Sequence, residues 1–168
     1  MYSYLKNVHW LPVPNKVELY FANHCPQPNK LAAVFAFIFN EAGELLMIQQ
    51  KDGRWNIPGG GAEDGETIEQ TAIREVMEEA CVEITNLEVV AYQRLLQQGE
   101  KTPNCPRPYP ESYEVFVFGK AKQNLPFKKS NEAINRQHFP IKTAVKQDGI
   151  LYENRHVIFD KARLLLKK

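Results

Sequence analysis

Cysteine is scarce in this chain. Cys25, Cys81 and Cys105 are odd in number and widely spaced among 168 residues. That excludes a disulfide framework and predicts reduced thiols in a cytoplasmic protein. No CxxC is present, so a zinc site built from His24 and Cys25 with Cys105 has little to rest on. Long apolar runs are missing too. The longest, LAAVFAFIF at 31–39, has nine residues, too short for a membrane helix and right for a buried strand. The N-terminus lacks the charged-then-apolar order of a signal peptide. There is no excess of one charge: a formal net of +1 argues against a nucleic-acid coat or a polybasic membrane binder. The aromatics fit core strands and no basic stripe accompanies them, so a nucleic-acid polymer is not an expected partner. Ser3, Ser112 and Ser130 stand outside any GxSxG, and His9, His24, His138 and His156 form no HExxH. Nor is there a Walker GK[ST], an EF-hand loop, an internal repeat or a low-complexity tract.

What the chain does have is the material for one domain: ample length, and a composition 43% hydrophobic. Residues 1–30, with prolines at 12, 14, 26 and 28 bracketing VELYF, read as an extended arm carrying one strand, at a sheet edge or a homodimer contact. From Leu31 the pattern becomes regular. LAAVFAFIF is a strand, NEAG a turn, ELLMIQQ the returning strand, and RWNI a short strand entering the loop PGGGAEDGE. A helix is predicted from about Thr67 to Ala80, then strands near LEVVAYQRLL and YEVFVFGKA. Between these lies QQGEKTPNCPRPYPES, a proline-rich loop of the length that usually carries function or disorder. HFPI reads as a last short strand, and Tyr152 to Leu166 as a closing helix with Ile158, Phe159, Ala162 and Leu165 inward. The class is α/β, with the domain at 31–168.

The charges are unevenly spread. Between Glu63 and Glu79 stand seven acids and one base, Arg74, a local net of −6, so the rest sums to +7. At about 100° per residue, Ile68, Ala72, Ile73, Val76, Met77 and Ala80 form one apolar stripe of the helix. Glu75 falls at its edge and Glu79 inside it. With Glu78 they repel one another at spacings of three and four residues, at the helix end whose dipole disfavours carboxylates. A solvated acidic face would place its charges opposite the stripe. One divalent cation resolves burial, repulsion and dipole together. Oxygen ligands without a nearby His or Cys favour Mg²⁺ or Mn²⁺. Arg74, four residues before Glu78, is placed to fix a carboxylate. Gly59, Gly60, Gly61 and Gly65 form a pliable wall beside the helix.

At these residues the sequence resembles the Nudix hydrolases, MutT-like enzymes whose signature runs G, five residues, E, seven residues, R-E, aliphatic, any, E-E, any, G, aliphatic. Here it reads Gly60, Glu66, Arg74-Glu75-Val76, Glu78-Glu79 and Cys81-Val82, with Cys81 where the family has Gly. The resemblance implies an α/β/α sandwich with a mixed β-sheet over about 31–166. It implies Mg²⁺-dependent hydrolysis, by in-line water attack, of a nucleoside diphosphate linked to another group. Glu75, Glu78 and Glu79 would hold the ions with the carbonyl of Gly59. Arg74 would orient a glutamate, and Gly60 and Glu66 would support the loop. The general base would be Glu75, Glu79 or a loop acid, for which Glu132 in NEAINRQHFPI is the candidate. PRPYPES at 106–112 resembles a motif of NADH pyrophosphatases, which nominates Arg107 for a phosphate and Tyr109 for a base. Oxidised nucleoside triphosphates and nucleotide sugars are the other substrate classes. The rival readings are a non-catalytic nucleotide sensor on this fold and a protein-docking domain.

Overall fold

A computed structural model describes residues 1–101, 103 and 105–167. In chain order its elements are β1 (Ser3–Lys6), β2 (Asn15–Phe21), β3 (Leu31–Phe39), β4 (Leu45–Gln49), β5 (Trp55–Asn56) and β6 (Gly59–Gly61). Then come α1 (Ile68–Ala80), β7 (Val82–Gln97), β8 (Glu111–Asn124), β9 (Asn135–Phe139), α2 (Ile141–Ala144), α3 (Asp148–Leu151) and α4 (Arg155–Ala162). The strands run β1-β2-β7-β8-β3-β4-β5, with β6 on β3 and β9 on β4. The β3–β8 pair is parallel, Leu31 opposite Tyr113 through Phe39 opposite Lys120. All the other pairings are antiparallel.

The apolar continuity of β3 follows from burial on both faces, where a half-buried strand would alternate. Its side chains divide by the strand period of two. Val34, Ala36 and Ile38 join Leu46, Ile48, Val115 and Val117 under Ala72, Val76 and Ala80 of α1. Phe37 and Phe39 join Leu45, Met47, Phe116 and Phe118 under Ile158, Phe159 and Ala162 of α4. One face is aliphatic and close-fitting, the other aromatic, and together they make the expected α/β/α sandwich.

Several boundaries differ from the sequence reading. The arm contributes two strands, and β2 is not at an edge: it lies between β1 and β7, paired from Asn15–Gln97 to Phe21–Ala91. Val17 and Leu19, both fully buried, drive that insertion. β1 takes the edge, too short to show a period. β9 starts three residues before HFPI, and Pro140 ends it by opening α2. The closing helix is broken, because Tyr152 is extended and Glu153 has φ 47°; α4 therefore starts at Arg155 and passes into a 3-10 turn at Arg163. Ile158, Phe159 and Ala162 are buried, and Leu165 is half-buried. Positions 102 and 104 of the proline-rich loop lie outside the described residues. Among the described residues no helix is long and apolar enough to cross a membrane.

Candidate active site

Helix α1 starts on a capping box. The Thr67 hydroxyl accepts from the Gln70 N–H at 3.2 Å, and the Gln70 side chain accepts from the Thr67 N–H at 2.9 Å. Such a cap contributes about 1 kcal/mol. At the other end Cys81 adopts the left-handed conformation, φ 52° and ψ 48°. The last turn has no basic residue of its own. A cation arrives from β9 instead: the Arg136 guanidinium donates to the carbonyls of Ala80 (2.5 Å), Cys81 (2.7 Å) and Leu125 (2.6 Å). This offsets the dipole that disfavours the glutamates.

The buried face of α1 carries Thr71, Ala72, Glu75, Val76, Glu79 and Ala80. Ile73, expected inside, is 42% exposed. The helix is rolled so that its acids meet β6, and the glycines there make room. A Cβ on Gly60 would sit 2.7 Å from both Glu75 carboxylate oxygens. One on Gly59, whose φ is +149°, would sit 2.3 Å from the Val34 carbonyl oxygen.

Within this space Arg74 organises one group of carboxylates. Its Nε and Nη2 bind Glu66 at 2.7 and 2.9 Å, and Nη2 also reaches the Gly61 carbonyl at 2.8 Å. Its Nη1 donates to Glu75 at 2.8 Å and to Glu78 at 3.3 Å. Glu66 accepts further from Thr71 Oγ1 and the Glu63 N–H, both at 2.9 Å. The Arg74 bonds above all hold the Glu66 carboxyl down to about 2. Glu79 is less well served. Its one hydrogen bond among the described residues comes from the Gly59 N–H at 2.8 Å. Burial pushes its carboxyl up to about 8, and the charges of Glu75, Glu132 and Glu78 add to the rise. Burial likewise raises Glu75, against the opposing pull of Arg74. Glu78 and Glu132 are exposed, the latter on the loop before β9.

Among the described residues no three Asp, Glu, His or Cys side chains already stand together as a cage; this holds for the helix glutamates and for His24, Cys25 and Cys105. The cysteines are all free thiols. The donor set on α1 nonetheless suits a hard divalent cation: oxygen ligands only, two carboxylates secluded, and one of them short of positive charge. Arg107 and Tyr109 turn different ways. The Arg107 guanidinium lies 5.6 Å from the Trp10 ring centroid, with Nη2 3.6 Å from Glu114. The Tyr109 hydroxyl donates to the Gly99 carbonyl, and the residue is 37% exposed.

A cavity of about 210 Å³ that sequence reasoning missed opens beside Arg107, lined by Trp10, Phe35, Gln93, Glu114, Tyr152, Glu153 and Arg155. The only signal for it was Glu114 itself, an acid inside the otherwise apolar run YEVFVF.

The family model of the NUDIX domain matches residues 29–160. This chain belongs to the Nudix family. Nudix hydrolases are pyrophosphohydrolases acting on nucleoside diphosphate derivatives, and they generally use divalent metals. Nudix hydrolase 5 of Arabidopsis thaliana is 30% identical over 96 residues, 54% of this chain and 30% of that one. A putative 8-oxo-dGTP diphosphatase of Bacillus subtilis is 33% identical over 69 residues, 40% of this chain and 46% of that one. These matches span less than half the length of either relative. Among solved structures, a mutant of the Bacillus subtilis pyrophosphohydrolase BsRppH superposes with a TM-score of 0.71 at 16% identity, covering 97% of both chains. That likeness is one of fold.

Proposed function

We propose that this protein is a Mg²⁺- or Mn²⁺-dependent Nudix pyrophosphohydrolase that cleaves a nucleoside diphosphate linked to another group, by attack of water on phosphorus. The observation that carries this reading is Glu79: a carboxylate 5% exposed, on the family's own motif, with a single backbone donor and a pKa displaced to about 8. Glu75, Glu78 and Glu79, with the backbone of Gly59, would hold the ion. When bound, it neutralises the anhydride's charge and lends Lewis acidity to the reaction. The protein supplies the geometry. Arg74 fixes Glu75 and Glu78 in position, and Glu66 fixes Arg74 and the turn at Glu63. A proton leaving the attacking water goes to a carboxylate, Glu75 or Glu79 on the helix or Glu132 on the loop.

The test is a panel of nucleoside triphosphates, dinucleotides and nucleotide sugars with each metal in turn, Glu79→Gln serving as control. Phosphate or nucleotide release that requires the metal and disappears in the variant supports the reading. A folded protein that releases nothing from any of them, with either ion, overturns it. Glu132→Gln on the best substrate tests the loop acid: a pH–rate profile that loses its acidic limb assigns the base to Glu132, and an unchanged profile leaves it with the helix glutamates.

A further inference from the structure

The cavity on the aromatic face of the sheet is built for a ring. Trp10, Phe35 and Tyr152 form its walls. About 150 Å³ suffices for benzene, so about 210 Å³ leaves room for a bicyclic ring. Glu114 and Gln93 face each other across β8 and β7 as a registered pair, 6% and 3% exposed, and both line the space. Among the described residues neither side chain makes a hydrogen bond; Glu114 has only the Arg107 guanidinium at 3.6 Å. Arg155 is committed elsewhere, donating to Asn56 Oδ1 at 2.7 Å and lying 4.6 Å from the Phe35 ring centroid. The cavity and the glutamates lie on opposite faces of the sheet and are linked through one backbone pairing. Phe35 pairs with Gly59, the residue whose N–H meets Glu79.

We propose that this cavity is the base subsite for the reaction proposed above, and that it selects guanine. Arg107 shows the fit. A planar N–C(N)–N group lies beside Trp10 with its N–H edge toward Glu114, and guanine carries the same grouping in N1, C2 and the 2-amino nitrogen. Its N1–H and N2–H donate side by side to one carboxylate, while the Gln93 amide meets O6. Adenine turns the N1 lone pair toward that carboxylate instead. Hypoxanthine keeps N1–H and lacks the amino donor. Arg107 is therefore a stand-in that the base displaces, and Trp10 ties the arm to substrate selection.

The inference rests on the nucleotide reading, but its test needs no turnover. Calorimetry in EDTA compares GMP, IMP and AMP. GMP should bind at least about tenfold tighter than AMP, with IMP between. Glu114→Gln should erase most of the difference. Arg107→Ala, at a loop position, should tighten GMP several-fold by vacating the seat, and it keeps the test open if Glu114→Gln fails to fold. Equal affinity for the three, or no binding at millimolar concentration, overturns the subsite while leaving metal-dependent hydrolysis standing. So does a loss of GMP binding in Arg107→Ala. Guanine-selective binding in a protein that hydrolyses nothing overturns the catalytic reading alone.

Discussion

Glu79 and Glu114 are equally secluded, 5% and 6% exposed, on opposite faces of one sheet, yet their surroundings differ in sign. Around Glu79 the charges are those of Glu75, Glu78 and Glu132, and the guanidinium of Arg74 on the same helix is spent on Glu66, Glu75 and Glu78. Around Glu114 stand Arg107 and Arg155, which oppose the upward push of burial on its carboxyl, and one acid, Glu153, which adds to it. Seclusion is therefore not what gives a buried acid its role. On the readings proposed above, a surplus of negative charge suits a mobile cation, and a carboxylate set mainly among guanidinium groups suits a planar N–H donor.

The comparison breaks most visibly at Glu79. Glu79→Gln keeps an acceptor for the Gly59 N–H but removes the charge, and turnover should fall about 10³-fold. In metal-free protein at alkaline pH the same variant should melt no lower than the wild type, since the charge it lacks is the one burial penalises. A marked loss of melting temperature there would show that Glu79 is a structural ion-pair partner.

Next in size is the pH dependence. The Glu79 carboxyl titrates near 4.5 when unfolded and at about 8 when folded. The unfolded chain loses its proton first, so this group's support for the fold is complete below about 4.5 and gone above about 8. Metal-free protein should lose stability across that window, by a few kcal/mol at most. Glu66 and Glu111, held at about 2 by their cationic partners, act oppositely and lose their support as pH falls below about 4.5. Saturating Mg²⁺ should cancel the loss at Glu79, with proton release on binding below about pH 8. Calorimetric melts from about pH 5 to about 9, in EDTA and in Mg²⁺, decide it; a melting temperature that climbs to pH 8 without metal contradicts the assignment.

Arg136→Ala sharpens the contrast from outside the helix. Removing a donor from three half-buried carbonyls, of which Cys81's keeps the Leu125 N–H, should cost about 2 kcal/mol at most and weaken metal binding as well, because the C-terminal dipole then acts unopposed on Glu79. Denaturant melts together with a metal titration read both; unchanged metal affinity would confine Arg136 to the fold. The smallest effect is expected at Cys81. Its left-handed backbone costs a side chain about 1 kcal/mol, so Cys81→Gly should stabilise by up to that amount with turnover nearly unchanged. A tenfold change in rate would give the thiol a part in the site.

The acidic half of this comparison was legible in the sequence and the ring-lined half was not. α1 announced itself through a 3.6-residue period, a capping threonine and a motif whose parts lie within 23 consecutive positions, 60–82. Glu79's seclusion followed from its angle on the wheel. The roll of the helix did not: it depends on how near Gly59 and Gly60 let the carboxylates come, a property of the pairing of β6 with β3. The cavity collects residues 10, 35, 93, 114, 152 and 155, far apart in the chain and brought together by the tertiary fold from strands, the arm and the start of α4. Nothing local marks them, save an acid where β8 should be apolar. Arg107 was noticed for its proline-rich setting and expected at a phosphate; its partner turned out to be that acid. α2 and α3, four residues each, are too short for any period to register.

The seating of β2 along β7 has a practical consequence. A gene cut back to Leu31, close to where the family match starts, would strip seven rungs from the ladder and leave one edge of β7 bare over nearly half its length. Such flanks recruit other polypeptides. A minimal fragment would then be a stickier molecule, missing the indole that closes one wall of its ring-shaped recess, and its preferences among nucleotides would say little about those of the longer chain.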